Sequence, residues 1–166
     1  MSTLLEKQIK VNRIVTTSIG HARAIEDPVR AKIVEILYHQ ALSADQISTA
    51  LKKTGYKKAL TTVRHHLEIL KESGLIEIAK IEESRGAITK YYSTSTKLLD
   101  FQTPADFDSA YSKIIDNTST KIEKILKGLE PKTKSKGKKS EDYSQYLVME
   151  IMNRAMTNVL EKSNNK

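Results

Sequence analysis

Residues 61–93 read TTVRHHLEILKESGLIEIAKIEESRGAITKYYS, and the succession of patterns inside this stretch decides the fold. From about Leu60 to Ser73, Val63, Leu67 and Leu70 recur at helical spacing and mark one buried side. Gly74 then stands where a helix ends in a left-handed residue, and Leu75 can fold back onto Leu70. Ile76, Ile78 and Ile81 among charged neighbours read as a strand. The turn is Glu82-Glu83-Ser84-Arg85-Gly86, and a second strand runs through Tyr92.

Upstream lies a basic turn, Lys52-Lys53-Thr54-Gly55-Tyr56-Lys57-Lys58. Before it, Ser43-Ala44-Asp45-Gln46 forms a capping box that opens a short helix with Ile47, Ala50 and Leu51 inward. Asp27-Pro28 is another helix start, an N-cap acceptor followed by a proline whose missing N–H costs nothing there. That helix carries Val29, Ile33, Ile36 and Leu37 on one face and runs to about Gln40. Residues 4–26 are predicted helical, because Val11, Val15, Ile19, Ala22 and Ile25 make one apolar stripe.

Downstream of residue 100 the pattern changes. Thr103-Pro104-Ala105-Asp106 starts a helix in which Tyr111, Ile115, Thr118, Ile122, Ile125 and Leu129 alternate spacings of four and three. This is the mark of a coiled-coil seam. Residues 130–142, with Pro131, Gly137 and five lysines, read as a linker. Tyr143 to Leu160 is an amphipathic helix with Tyr146, Leu147, Ile151, Met152, Ala155, Met156 and Val159. The expected organisation is an N-terminal helical extension over 1–19, a globular domain over 20–100, a dimerisation helix over 101–129, a basic linker over 130–142 and a C-terminal amphipathic helix over 143–166. The fold class is mainly α with a small β-hairpin.

Composition narrows the function. Of 166 residues 39 % are apolar, and 28 Lys and Arg face 20 Asp and Glu, a net charge of +8. Such a balance suits a soluble protein that meets a polyanion, since neutralising phosphates releases condensed counterions. There are no cysteines, which excludes disulfides, thiolate zinc sites and thiol catalysis, and fits a cytoplasmic location. The N-terminal apolar residues are broken by Glu6, Lys7 and Lys10, so no signal-peptide core is expected, and no run is long enough for a membrane span. Phosphate-cradling glycine loops, metalloprotease spacings and nucleophile elbows are absent, so no enzyme is expected.

The helix at 60–73 has a free side. At 100° per residue, Val63, His66, Leu67 and Leu70 fall inward, while Thr61, Arg64, His65 and Glu68 fall outward with Thr62 flanking. Hydrogen-bonding groups and a guanidinium on the first turns are what a helix reading base edges in the major groove requires. Residues 50–92 hold nine Lys or Arg against five acids, half of the net charge in about a quarter of the chain.

HARAIEDPVRAKIVEIL, then SADQIS, then residues 61–93 together resemble the ArsR family of winged helix-turn-helix regulators over about residues 20–93. The resemblance rests on an Asp-Pro-x-Arg-x-x-Ile-x-x-x-Leu helix, a Val-x-x-His-Leu-x-x-Leu-x-x-x-Gly-Leu helix and a hairpin ending in paired tyrosines. It implies a winged helix-turn-helix with helical extensions at both ends. It also implies a prokaryotic, homodimeric transcription regulator, more often a repressor, that binds double-stranded DNA specifically. By the same resemblance the recognition helix 60–73 enters the major groove and the wing 82–87 meets the minor groove. Arg64 and His65 stand where the family contacts bases, Thr61 and Thr62 at the helix entry, Arg85 near the wing tip, and His66 at a packing position. Lys57, Lys58 and Lys90 are the expected phosphate contacts. Val11, Val15, Tyr111, Ile115, Ile122, Ile125 and Leu129 are the expected dimerisation residues.

Three departures qualify the resemblance. The turn Lys52–Ala59 is about five residues longer than the compact form, which leaves the entry into the recognition helix open. Arg64 replaces a usual serine, so base preference does not carry over. The family's Cys-x-Cys metal ligands fall on SADQIS, which has none, and His21, His39, His65 and His66 form no chelating set. Neither a metal nor a cofactor is therefore expected. A small-molecule effector in a pocket lined by the last helix competes with plain helix packing there. Two other functions compete with regulation: a weakly specific architectural DNA coat, and a winged-helix protein-interaction module.

Overall fold

The computed structural model describes residues 3–133 and 141–162. They form α1 (Ile19–Glu26), α2 (Pro28–Ile36), β1 (Leu42–Ser43), α3 (Ala44–Lys53), α4 (Leu60–Glu72), β2 (Glu77–Ser84), β3 (Ala87–Ser93), α5 (Phe107–Thr133) and α6 (Glu141–Lys162). The chain divides into two compact units, Thr17–Phe101 and a second made of Met1–Thr16 with Gln102–Lys166.

In the first unit, local chemistry sets each helix end. The Ser18 hydroxyl accepts from the His21 amide at 3.0 Å and opens α1. Asp27 closes α1 and caps α2, accepting from the Val29 and Arg30 amides at 2.8 and 3.2 Å. The expected capping box opens α3: Gln46 N donates to Ser43 Oγ and Ser43 N donates to Gln46 Oε1. At the end of α4, Leu75 N donates to Leu70 O and Gly74 N to Lys71 O, with Gly74 at φ 80°. This pair of bonds is a Schellman closure, and it aims the chain straight into β2.

Ile33, Val34, Leu37, Ile47, Leu51, Val63, Leu67 and Leu70 are enclosed, and Tyr92 of β3 covers them from the sheet side. Val34 belongs to this core although the sequence pattern does not single it out. The sheet is antiparallel in the order β1-β3-β2. Leu42 and Ile78 face Tyr92 from either side, and Ser84 faces Ala87 at the hairpin end. The turn is therefore shorter than expected. Glu82 to Ser84 are strand, and only Arg85 and Gly86 connect the strands. Their φ values of 52° and 79° meet the demand of a two-residue type I′ turn for positive φ at both positions. The unforeseen strand is β1, which consists of two residues and has no period to read.

Four boundaries are corrected. Residues 3–18, expected to be helical as part of the 1–19 extension, hold no helix. Ile9, Val11, Ile14, Val15, Thr16 and Thr17 are β-branched and lose side-chain freedom in a helix. Their stripe also stays open to water at Val11, 87 % exposed, and Val15, 71 % exposed. Helix begins only where Ser18 supplies a cap. α2 ends at Ile36 rather than near Gln40. In the second unit, α5 starts at Phe107 and runs through Thr133, so residues 130–133 of the expected linker are helical. α6 takes in Glu141 and Asp142 as well, where acidic side chains complement the positive end of the helix dipole. The rest of the expected linker, 134–140, and the end of the chain, 163–166, lie outside the described residues.

Candidate nucleic-acid interface

The faces of α4 are as the helical geometry demands. Val63, His66, Leu67 and Leu70 are buried, Thr61, Arg64, His65 and Glu68 are exposed, and Thr62 lies between. Among the described residues, the Thr61, Arg64 and His65 side chains make no hydrogen bond or ion pair. Glu68 is different: its Oε2 accepts from Lys71 Nζ at 2.8 Å, and that bond holds the carboxyl below its ordinary value.

The long turn before α4 has a defined structure. Tyr56 N donates to Leu51 O and Gly55 N to Lys52 O, with Gly55 at φ 93°. α3 thus closes in the same way as α4. Tyr56 then packs against the core. This anchor sets the path of the following residues and leaves Lys57 and Lys58 exposed immediately before α4.

Alternation along β3 places Ile88, Lys90 and Tyr92 on one face. Together with Thr89, they line a cleft of about 520 Å³ with Arg64 and Glu68 of α4 and with Ser43, Ala44 and Asp45 at the start of α3. The structure thus brings Arg64 and Lys90 to one cleft. Sequence reading missed Ser43, Asp45, Ile88 and Thr89 as its other walls. The strand alternation could have shown Ile88 beside Lys90, whereas the α3 residues arrive only through tertiary packing. Lys80 of the wing is engaged elsewhere: it pairs with Glu82, which also accepts from the Tyr91 hydroxyl at 2.8 Å. Arg85 sits exposed at the wing tip with φ 52°. A non-glycine residue in that region costs energy and persists where the surroundings, or a function, require it.

His66 is 8 % exposed, and its Nδ1 has no hydrogen-bond partner among the described residues. Burial pushes its pKa down, with the Asp27 carboxylate working against that shift. Its ring lies 6.3 Å from that of exposed His65, so the two face different surroundings. Among the described residues no group of three His, Asp or Glu could hold a metal ion.

The expected dimerisation residues divide. In the second unit, Ile122 and Leu129 line a cleft of about 600 Å³ with Ile14, Leu126, Val148, Met149 and Met152. These two are half-buried against α6 and do not form an open seam. Tyr111, Ile115 and Ile125 remain exposed, as do Val11 and Val15. α6 turns Met149 and Met152 toward the cleft, while Tyr143 and Tyr146 stay partly exposed.

Residues 25–79 match the family model of a helix-turn-helix domain. This stretch, about a third of the chain, resembles a helix-turn-helix domain. Its second and third helices are α3 and α4, and the hairpin of β2 and β3 makes the fold winged. Comparison with curated proteins finds no match. Among solved structures, the chain is similar to the solution structure of a homodimeric winged helix-turn-helix DNA-binding domain from Mycobacterium bovis, a possible ArsR-family transcriptional regulator. The two are 19 % identical, with a TM-score of 0.36 over 63 % of this chain and 80 % of that one. No helix among the described residues is long and apolar enough to cross a membrane.

Proposed function

We propose that the helix-turn-helix domain binds double-stranded DNA in the cytoplasm as a transcription repressor, with α4 in the major groove and the wing tip at the minor groove. The observation that carries this reading is the outer face of α4. Thr61, Arg64 and His65 are exposed on its first turns and make no side-chain hydrogen bond or ion pair among the described residues, while the inner side of the same helix is enclosed. A helix that only supported the core would have no need of a guanidinium there. Lys57 and Lys58 before α4, and Lys90 and Arg85 on the wing, flank that face with positive charge. This is the arrangement in which phosphate contacts position a protein and base contacts specify its site.

A homodimer completes the reading. Tyr111, Ile115 and Ile125 keep much of their surface open to water, and a two-fold partner would cover them while setting two recognition helices on paired half-sites.

Binding isotherms on a selected duplex and on random duplex, at several salt concentrations, test the assignment. Arg64→Ala should cost about 1–3 kcal/mol on the selected duplex and much less on random DNA. Lys58→Ala should weaken both alike and lower the salt slope by about one unit. Equal losses on both duplexes for Arg64→Ala would make it a phosphate contact. A wild-type protein that binds all duplexes alike would favour the architectural reading.

A further inference from the structure

We propose that Glu68 makes this chain select cytosine, accepting the exocyclic amine of that base in the major groove beside the position read by Arg64. The inference rests on the DNA-binding reading above and deepens it. Glu68 lies on the same outer line of α4 as Thr61 and is exposed. It stands one turn beyond Arg64 in the wall of the same cleft.

A carboxylate at this place needs an explanation. Facing a polyanion it repels phosphates, so it lowers affinity for every DNA sequence alike. Lys71 removes part of that cost by bonding Oε2. The bond also holds the side chain in place and leaves Oε1 without a hydrogen bond among the described residues. Because the pair with Lys71 keeps the carboxyl pKa low, the group stays an ionised acceptor around neutrality.

The major groove offers few partners to such an acceptor. Guanine presents N7 and O6 and thymine presents O4, all acceptors that a carboxylate meets unfavourably. Adenine presents its amine beside the acceptor N7, whereas cytosine presents its N4 amine alone. The chemistry therefore favours cytosine. The spacing agrees with two separate readings, since four residues of helix advance about 6 Å and successive base pairs are about 3.4 Å apart. Arg64 and Glu68 thus address positions one or two base pairs apart, a guanidinium suited to guanine and a carboxylate suited to cytosine.

The test is selection from a pool of random duplex DNA with the full chain, carried out in parallel for wild type, Glu68→Gln and Glu68→Ala. Thermal melts of the three confirm that each is folded, since an exposed i, i+3 pair contributes little to stability. Wild type should enrich a motif with cytosine at one position of each half-site. Glu68→Gln should move that position toward adenine, which an amide can pair with through N6 and N7. Glu68→Ala should lose about tenfold in discrimination there, with the other positions unchanged. Variants that bind every duplex more tightly while keeping the wild-type motif would overturn the inference and leave Glu68 a source of repulsion only. An unchanged motif at unchanged affinity would reduce Glu68 to a helix-surface pair. A wild type that enriches no motif would defeat the specific DNA-binding reading itself, and this inference with it.

Discussion

The two units of the chain handle their apolar residues in opposite ways. In Thr17–Phe101, short helices capped at Ser18, Asp27 and Ser43 enclose Ile33, Leu37, Ile47, Leu51, Leu67 and Leu70 almost completely. In the second unit, α5 and α6 are much longer, yet α6 has no buried residue. Tyr111, Ile115, Ile125, Met156, Val159 and Leu160 remain exposed. Helices that cross at several angles under a small sheet can cover one another from all sides. Two long helices cover only the strip each turns toward the other, and the rest of a wide apolar face stays wet. The difference teaches that apolar periodicity foretells where a face lies, while a third and fourth neighbour decide whether it is buried.

The comparison can be broken most decisively in the core. Leu67→Ala should destabilise the protein by about 2–5 kcal/mol, because a close-packed site loses transfer energy and gains a cavity. Ile115→Ala should cost far less at concentrations where the chain is monomeric. Urea unfolding of the two variants measures both, and equal losses would show the second unit to be packed as tightly as the first.

The next test concerns what covers the second unit. Under the proposed dimer, sedimentation at micromolar concentration should give about twice the monomer mass. Ile115→Asp should weaken association at least tenfold, about 1.4 kcal/mol. Ile115 serves better here than Ile122, whose side chain lines the cleft with α6. A wild-type chain that sediments as a monomer would remove the dimer.

The smallest expected effect sharpens the picture of the first unit. Burial holds His66 below its ordinary value of 6.5, with the Asp27 carboxylate partly opposing. The unfolded chain therefore binds a proton more readily than the folded one. The corresponding stability is fully present above about pH 6.5 and is lost as pH falls below that value through the folded pKa. Comparing urea midpoints between pH 7.5 and 5.5 should show a decline for wild type that His66→Phe reduces. Asp27 does not interfere in that range. Burial raises its carboxyl, but the Arg30 and Val29 amides together outweigh this and hold it below 3.8. A midpoint that rises on acidification would contradict the assignment.

By itself the sequence determined the elements whose cause is local. The cap chemistry of Asp27-Pro28 and Ser43–Gln46, the closure at Gly74 and the division of α4 into an enclosed side and an outer side with Thr61, Arg64, His65 and Glu68 were all legible. Each depends on residues within a turn or two of one another. Tertiary structure alone decided the features that depend on distant neighbours. β1 exists because Leu42 and Ser43 lie against Tyr92 and Tyr91. The cleft at Arg64 exists because β3 and the start of α3 meet the outer side of α4. Val11 and Val15 within residues 3–18 showed the converse, an apolar period that reads as helix but stays open to water. A helix on the surface of a protein is held mainly by the burial of its apolar face. Without such burial, a segment rich in β-branched residues keeps its periodicity and forms no helix.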